Sequence, residues 1–322
     1  MRFASPILAV LLVVPGWSGD ERLALPAPGH RLEVLRVALD PGRPALRRVG
    51  GLRYLGGVAL ASGDPAFGGF SALDVQGDRF ALLSDGGNLL TFRMGRDWRP
   101  RGARHRPLPA GPGTGWRKAD RDAEALAVDP ATGDAWVAFE NHNEVWRFSR
   151  ELRRAVRGRA PPRMRGWPDG GGAEAMARLS DGRFVLLAER ERAGPGARAA
   201  LLFAGDPTDA RGHGARFAYL PAPGYSPVDA AELPDGRLLV VERRFRLPYR
   251  WSTRLALVGR GAVRAGARVR GRTLAVLAAP LAHDNFEAVA VVREGGATML
   301  WLLSDDNQSA LQRTLLLKFR VE

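Results

Sequence analysis

The stretch Asp122-Ala-Glu-Ala-Leu-Ala-Val128, followed by Ala135-Trp-Val-Ala-Phe-Glu-Asn141, decides the fold because the chain contains five versions of it. The other copies are Gly69–Val75 with Arg79–Asp85, Gly172–Ala177 with Arg183–Glu189, Pro227–Leu233 with Arg237–Glu242, and Phe286–Val291 with Met299–Asp305. Aligned on the residue before a shared Ala, successive copies are separated by 53, 50, 55 and 58 residues. Such a period is the signature of a repeat architecture.

Each copy predicts strands. It combines an alternating segment, a turn containing Gly, Asp or Pro, and a continuous apolar run that ends on an acid. A further apolar run usually follows, as in Asn88–Phe92 and Glu144–Phe148. Runs this short, broken by turn residues, are typical of strands rather than helices. Five such units predict an all-β fold, a β-propeller with five blades.

The N-terminal region supplies the means of closing the ring. Two apolar segments, Leu32–Leu39 and Leu52–Leu60, precede the first unit, and no comparable segment follows the last. We therefore expect an N-terminal strand to complete the C-terminal blade, which leaves no open edge. Six blades are the alternative, if the two segments recruit further partners. The expected organisation is a single β-propeller domain over residues 20–322.

The first residues indicate export. Residues 1–19 carry one Arg and an apolar run, Pro6–Val14, before Pro15 and Gly16. This pattern resembles a short secretory signal peptide, and the run is too short to span a bilayer. We expect a periplasmic or secreted protein without stable membrane insertion, with an uncleaved cytosolic start as the alternative. The chain has no Cys, which excludes disulfides, thiolate metal ligands and a cysteine nucleophile.

The charge balance has two interpretations. A formal net charge of +14 suggests an anionic partner. Lys118 and Lys318 are, however, the only lysines among 48 basic residues, and this excess of Arg over Lys is typical of a GC-rich genome. The dense cluster Arg147–Arg165 is either an anion-binding loop or a solvated loop between blades. No recognition motif accompanies the charge, so we expect no nucleic-acid partner.

Acids recur at one register of the repeat. The first strand of a propeller blade lines the central channel, so these acids would form a ring of carboxylates. The predicted metal ligands are Glu124, Glu174, Asp229 and Glu287, and Ser71 stands at this register in the first copy. Like charges held together need protons or a cation, and Ca²⁺, with about six to eight oxygen ligands, suits such a ring. Alternatively, the acids bond backbone amides and Arg side chains of neighbouring blades.

A second polar set ends the next strand of each unit. The predicted substrate-binding residues are Asp85, Asn141, Arg190, Arg243 and Asp305. Glu140, Glu189 and His142 are the candidate catalytic acids or bases. The sequence has no Gly-x-Ser-x-Gly elbow, so we do not expect a serine nucleophile of that kind.

The motifs resemble a known family. The strings that carry the resemblance are Phe67-Gly-Gly-Phe-Ser-Ala-Leu-Asp74, Asp122–Ala127, Gly172–Met176, Tyr225-Ser-Pro-Val-Asp229, Asp284-Asn-Phe-Glu-Ala-Val289 and Ser304–Asn307. Together they are similar to the phytase-like β-propellers, often labelled "esterase-like activity of phytase", from about Val49 to Val321. The resemblance implies an exported hydrolase of ester or phosphoester bonds, by analogy with propeller phytases whose acidic channel binds Ca²⁺. It extends loosely to calcium-dependent nucleotidase propellers.

The resulting hypothesis is a monomeric, Ca²⁺-dependent hydrolase that acts on a small anionic ester or phosphoester in the channel. The ion would polarise the ester or phosphoryl oxygen and lower the pKa of a bound water. One alternative is a non-catalytic propeller that binds an envelope ligand or partner around a structural ion. Another is a lactonase-like hydrolase, since such propellers also hold a channel cation with acids and Asn.

Overall fold

The computed structural model describes residues 23–322 except 211, 249 and 310. The predicted signal segment, residues 1–19, lies outside the described residues. Three strands precede the repeats: β1 (Glu33–Arg36), β2 (Arg48–Val49) and β3 (Leu52–Ala61). Blade 1 consists of β4 (Phe70–Gln76), β5 (Arg79–Ser84), β6 (Asn88–Met94) and β7 (Pro100–Pro107). Blade 2 consists of β8 (Ala123–Val128), β9 (Ala135–Phe139), β10 (Glu144–Phe148) and β11 (Ala155–Arg159).

The remaining strands complete three further blades. Blade 3 consists of β12 (Ala173–Arg178), β13 (Phe184–Arg192), β14 (Arg198–Phe203) and β15 (Ala215–Tyr219). Blade 4 consists of β16 (Ser226–Glu232), β17 (Leu238–Arg246), β18 (Arg250–Val258) and β20 (Arg272–Ala278), while the intervening β19 (Arg268–Val269) joins the edge of blade 3. Blade 5 begins with β21 (Asn285–Glu294), β22 (Ala297–Asp305) and β23 (Thr314–Val321).

Helices contribute little to the fold. The described residues contain three short 3₁₀ helices: η1 (Lys118–Arg121) before blade 2, η2 (Arg150–Leu152) between β10 and β11, and η3 (Pro162–Met164) after blade 2. Within the described ranges, no helix has the length and apolar character needed to cross a membrane.

The blades form a closed ring. Each of the inner strands β4, β8, β12, β16 and β21 contacts the next, and β21 contacts β4. The predicted five blades are therefore confirmed, and the six-bladed alternative is wrong. Small side chains suit strands that converge on one axis: Ala125, Ala175 and Ala288, one each from β8, β12 and β21, are all buried.

The predicted closure is also confirmed. β3 pairs antiparallel with β23, with Leu60 opposite Thr314 and Leu52 opposite Val321. β1 extends the same sheet on the far side of β3. Because segments from both ends of the described chain complete blade 5, the ring has no unpaired seam.

Apolar side chains pack between neighbouring blades. Five clusters of buried residues occupy the five interfaces. Between blades 5 and 1, Trp301 packs edge-on against Phe80 with 4.8 Å between ring centroids. Trp136 and Phe184 make the equivalent contact between blades 2 and 3, also at 4.8 Å. Burial of these apolar surfaces is the dominant favourable contribution to folding, and it leaves the axis to polar side chains.

The segment Arg147–Arg165 belongs to the outer part of blade 2. Arg147 pairs with Asp206 at 3.1 Å, and Arg157 pairs with Asp209 at 2.6 Å. Both acids lie in the connection between β14 and β15 of blade 3. The expected loop between blades is therefore wrong: the segment contains the end of β10, then η2, β11 and η3, and its ion pairs link blades 2 and 3.

The pairing of β3 with β23 predicts that the buried apolar residues of β23 contribute strongly to the free energy of unfolding. Leu316 on β23 is fully buried between blades 5 and 1. We expect Leu316→Ala to lower the free energy of unfolding by about 2–5 kcal/mol, because it leaves a cavity. Leu311→Ala removes a side chain that is 69% exposed and should change the free energy of unfolding by less than about 0.5 kcal/mol. Urea denaturation measures both; equal losses would contradict the closure role of β23.

Candidate active site

A β-bulge interrupts every inner strand, at the acidic register in four blades and one residue before it in blade 4. The residues displaced from strand pairing are Ser71, Glu124, Glu174, Val228 and Glu287. In blade 4, Asp229 follows the displaced residue directly. A bulge bends the strand and redirects its side chains. The bulge therefore gives the acidic side chains a direction different from that of the apolar side chains that follow in the strand.

The second acidic set lies at the same end of the channel, which we call the mouth. Each second strand runs antiparallel to its inner strand, so the end of the former is adjacent to the start of the latter. In blade 2, Ala123 is paired with Phe139, and the backbone N–H of Glu140 donates to the carbonyl of Asp122 at 2.9 Å. The two acidic sets therefore meet in one cluster.

Three carboxylates of blade 2 come closest together. Asp122, Glu124 and Glu140 each place one carboxylate oxygen within 4.8 Å of those of the other two. Asn141 donates its side-chain N–H to Asp122 Oδ2, which orients that carboxylate. Glu174 of blade 3 is buried beside this group, which we call the carboxylate cluster.

The carboxylate cluster is short of positive charge. Among the described residues, no Arg, Lys or His forms an ion pair with Asp122, Glu124 or Glu140. Desolvation, then the charges of Glu140 and Asp85, raise the pKa of Asp122 to about 7. Desolvation and neighbouring carboxylates also hold the pKa values of Glu124 and Glu174 well above their ordinary range. The charge of Lys118 opposes this shift at Asp122, and a bound cation would further favour ionisation of the cluster.

The opposite side of the mouth supplies its own cation. Arg243 donates to Glu189 Oε1 at 3.0 Å, to Asn285 Oδ1 at 2.9 Å, and to Glu287 Oε1. Burial alone would lower the pKa of Arg243, but the carboxylates of Glu287 and Glu189 outweigh it and raise that pKa. Asn285 also donates to Glu287 Oε1 at 2.7 Å. Burial raises the pKa of Glu287, and the charge of Arg243 opposes this shift, so Glu287 has its cationic partner within the protein.

Backbone amides satisfy Asp229. Its two carboxylate oxygens accept from the N–H groups of Ala230 and Val289, both at 2.7 Å. Val289 belongs to β21, so this carboxylate joins blade 4 to blade 5. Burial raises its pKa well above the ordinary value. Asp229 lies in the predicted ring but holds two strands together.

The remaining predicted residues surround the mouth. Lys118 Nζ lies 2.6 Å from Asp85 Oδ2, and Asp305 is buried and accepts from the N–H of Asn307 at 2.7 Å. Arg190, 68% exposed, lies 3.1 Å from Glu189 Oε2.

His142 is the outermost of the predicted catalytic residues. It is exposed on the turn after β9, and its Nε2 lies 3.8 Å from Asp120 Oδ1. It is therefore apart from the buried carboxylates and closer to solvent.

Two site residues were missing from the sequence prediction, Asp122 and Asn285. Both stand two residues before the acidic register, where the other copies have Gly69, Gly172 and Pro227. A polar side chain at a position otherwise occupied by Gly or Pro was the available signal. At the equivalent position of blade 1, Gly69 leaves no room for a side chain, because a Cβ there would lie 2.4 Å from Asp85 Oδ1.

Comparisons with known proteins agree with the fold. The family model described as "Phytase-like: Esterase-like activity of phytase" matches residues 65–308. No curated protein sequence gives a match. An endo-arabinase from Bacteroides thetaiotaomicron has a similar structure, with 14% identity, a TM-score of 0.51 and coverage of 78% of this chain and 94% of that chain. At this identity the similarity concerns the fold alone.

Two further structures are more distant. A putative 6-phosphogluconolactonase from Bacteroides fragilis has 12% identity and a TM-score of 0.39, with coverage of 87% of this chain and 79% of that chain. Hydrazine synthase from Kuenenia stuttgartiensis has 12% identity and a TM-score of 0.35 over 76% of this chain, which spans 58% of that chain.

Arg243 provides a test of how the acids are balanced. Arg243→Met leaves Glu189 and Glu287 without their shared cation, so we expect a loss of about 3–5 kcal/mol in the free energy of unfolding. Arg190→Met removes an exposed ion pair with the same Glu189 and should cost less than about 1 kcal/mol. Urea denaturation at pH 7 measures both. Comparable losses in the two variants would contradict the role given to Arg243.

The carboxylate cluster predicts a pH dependence for the ion-free protein. Between about pH 4 and pH 7 the folded state holds a proton on Asp122 that the unfolded chain has released. The free energy of unfolding should therefore fall as pH rises through this window, and Asp122→Asn should reduce the slope. Urea midpoints in chelator provide the measurement, with exposed Asp169→Asn as control. A slope unchanged in Asp122→Asn would refute the prediction.

Proposed function

Because the chain belongs to the phytase-like family, described as "Esterase-like activity of phytase", we propose that it hydrolyses ester or phosphoester bonds with a divalent cation at the channel mouth. The observation that carries this proposal is the carboxylate cluster. Asp122, Glu124 and Glu140 converge within 4.8 Å without an ion pair among the described residues. A site that gathers like charges and leaves them uncompensated is suited to a cation.

The donor atoms favour a hard cation. Three carboxylates offer oxygens alone, and the sequence has no Cys to provide a soft ligand. Asn141 uses its N–H to bond Asp122, which leaves its amide oxygen as a further donor. Ca²⁺ takes about six to eight oxygen ligands in flexible geometries. We therefore assign Asp122, Glu124 and Glu140 as ligands, with Glu174 beside them, and treat Asp229 and Glu287 as structural members of the ring.

The chain's own residues bind and orient the substrate in this proposal. When bound, Ca²⁺ would supply Lewis acidity toward an ester or phosphoryl oxygen. The exposed guanidinium of Arg190, held by Glu189, is available to an anionic group. His142, on the solvent side of the mouth, is suited to exchange a proton with water.

A non-catalytic propeller is the second candidate. The observation in its favour is that half of the predicted ring is already satisfied inside the protein, since Asp229 bonds amides and Glu287 bonds Arg243. In that case a cation in the carboxylate cluster would stabilise blade 2 without taking part in turnover. The two candidates differ in one outcome: removing the cation lowers thermal stability in both, but it abolishes turnover only if the protein is a hydrolase.

Export and a monomeric state complete the proposal. Residues 1–19 resemble a signal peptide in sequence. N-terminal sequencing of the protein recovered from the periplasm would test cleavage near residue 19; recovery of Met1 would count against it. Light scattering of the purified protein tests the monomer.

The metal proposal predicts linked effects on stability and turnover. Ca²⁺ at about one hundred times its Kd should stabilise the protein by about 2.7 kcal/mol relative to chelator, because the unfolded chain has no assembled site. Glu124→Gln should abolish this increment and reduce hydrolysis of a phosphomonoester and a carboxylic ester by about 10- to 100-fold. Calorimetric melting and an initial-rate assay measure the two effects.

Glu287→Gln is the matched control, because it changes the same residue type at the same register on the side neutralised by Arg243. It should keep most of the Ca²⁺-dependent shift in melting. Turnover that persists in excess chelator would refute the metal-dependent hydrolase. A Ca²⁺ shift without turnover on any ester would favour the non-catalytic candidate.

A further inference from the structure

Two neighbouring hairpins at the mouth are strongly cationic. The connections between second and third strands lie at the mouth, because the second strands end there. In blade 3 this hairpin joins β13 to β14, and in blade 4 it joins β17 to β18. Residues 190–198 contain three Arg and one acid, Glu191, whereas residues 243–253 contain four Arg and no acid. We call these two stretches the cationic hairpins.

The cationic hairpins place Arg directly opposite Arg. Arg192 is paired with Arg198 across the blade 3 hairpin, and Arg246 is paired with Arg250 across the blade 4 hairpin. Like charges at directly opposed positions of antiparallel strands destabilise the pairing. None of these four Arg forms an ion pair in the part of the chain that the structure describes. An anion from outside the chain would relieve this repulsion.

Further contacts bring the two hairpins side by side. Arg198 donates to Ser226 Oγ at 3.5 Å, and Ser226 is paired with Arg243 at the base of the blade 4 hairpin. Arg268, on β19, donates to the carbonyl of Ala193 at 3.2 Å, which adds a positive charge at the tip of the blade 3 hairpin. The charges of blades 3 and 4 therefore lie on one part of the rim of the mouth.

Exposed apolar side chains share this end of the molecule. Among the described residues, three of the four most exposed large apolar side chains lie in mouth connections: Leu247 at 84%, Trp116 at 71% and Leu311 at 69%. Trp116 lies between β7 and β8, and Leu311 lies between β22 and β23. Leu247 stands between Arg246 and Arg250 at the tip of the blade 4 hairpin. Apolar side chains beside Arg are the combination that binds membrane interfaces.

An anionic bilayer satisfies both features at once. Lipid phosphates lie at the depth that guanidinium groups reach, and the acyl boundary below them covers an apolar side chain. A soluble polyanion would pair with the Arg side chains but would leave Leu247 in water. The net charge of +14 adds attraction to a negative surface.

We propose that the mouth face of the propeller docks peripherally on an anionic lipid surface. The cationic hairpins bind lipid phosphates, and Leu247 enters the headgroup region. Trp116 and Leu311 face the same surface, and the channel mouth opens toward the lipid. The inference goes beyond the proposed hydrolysis and does not depend on it, since docking requires neither the carboxylate cluster nor turnover.

Sedimentation with lipid vesicles tests the proposal. Vesicles of phosphatidylcholine mixed with phosphatidylglycerol provide the anionic surface, pure phosphatidylcholine provides the neutral one, and chelator prevents Ca²⁺ from bridging protein and lipid. At low salt, wild-type protein should bind the anionic vesicles at least about tenfold more tightly than the neutral ones, and high salt should weaken this binding. Arg246→Gln/Arg250→Gln should weaken it by about 20- to 30-fold, because each Arg near the surface contributes about fivefold.

Arg260→Gln/Arg264→Gln is the matched control for charge. Both residues are exposed and follow the end of β18, so the variant removes the same charge from blade 4 at the opposite end of the channel. It should change the affinity by less than about threefold, since charges far from the lipid are screened.

Leu247→Ser tests the apolar tip and should weaken binding by about tenfold, because the side chain no longer gains from burial in the headgroup region. Its control is Leu35→Ser, at an exposed position on the edge strand β1, which should keep the wild-type affinity.

Three results would overturn the proposal. The first is the absence of wild-type binding to the anionic vesicles. The second is an equal loss of binding in Arg246→Gln/Arg250→Gln and in Arg260→Gln/Arg264→Gln, which would assign the attraction to net charge alone. The third is wild-type affinity in Leu247→Ser, because the hairpins would then bind a polyanion without inserting their tip.

Discussion

The structure depends on how carboxylates are neutralised around a narrow axis. Five inner strands bring an acidic register to one place, and burial makes each ionised carboxylate costly. The protein solves this differently in each blade. Asp229 accepts two backbone amides, Glu287 shares Arg243 with Glu189, and Ser71 carries no charge. Among the described residues, Asp122, Glu124, Glu140 and Glu174 have no such cationic partner, so blades 2 and 3 carry the acids that are least compensated by Arg.

Much of the fold could be predicted from the sequence because the signals are local and occur five times. Alternation, turn residues and apolar runs recur with each copy, so an error in one blade is corrected by the others. The closure by β3 followed from counting, since the last unit lacked an outer strand. The same apolar runs supply the Trp and Phe side chains that pack between blades, such as Trp301 against Phe80.

The division of labour among the acids could not be predicted in this way. Glu124 and Glu287 occupy the same register and have similar neighbours, but their partners come from distant parts of the chain. Arg243, which neutralises Glu287, belongs to another blade, and the amide that bonds Asp229 lies 60 residues away. The informative residues were those that break the repeat. Asp122 replaces Gly in the second copy, and this single change completes the carboxylate cluster.

The pairing of β3 with β23 has a consequence for biosynthesis. Among the described strands, β3 is synthesised early, whereas its partner β23 is synthesised last. During synthesis, its apolar residues Val58 and Leu60 have no native surface to cover, and non-local pairing of this kind is slow and prone to aggregation. The ring is therefore assembled as a whole only after the C-terminal strand has been delivered.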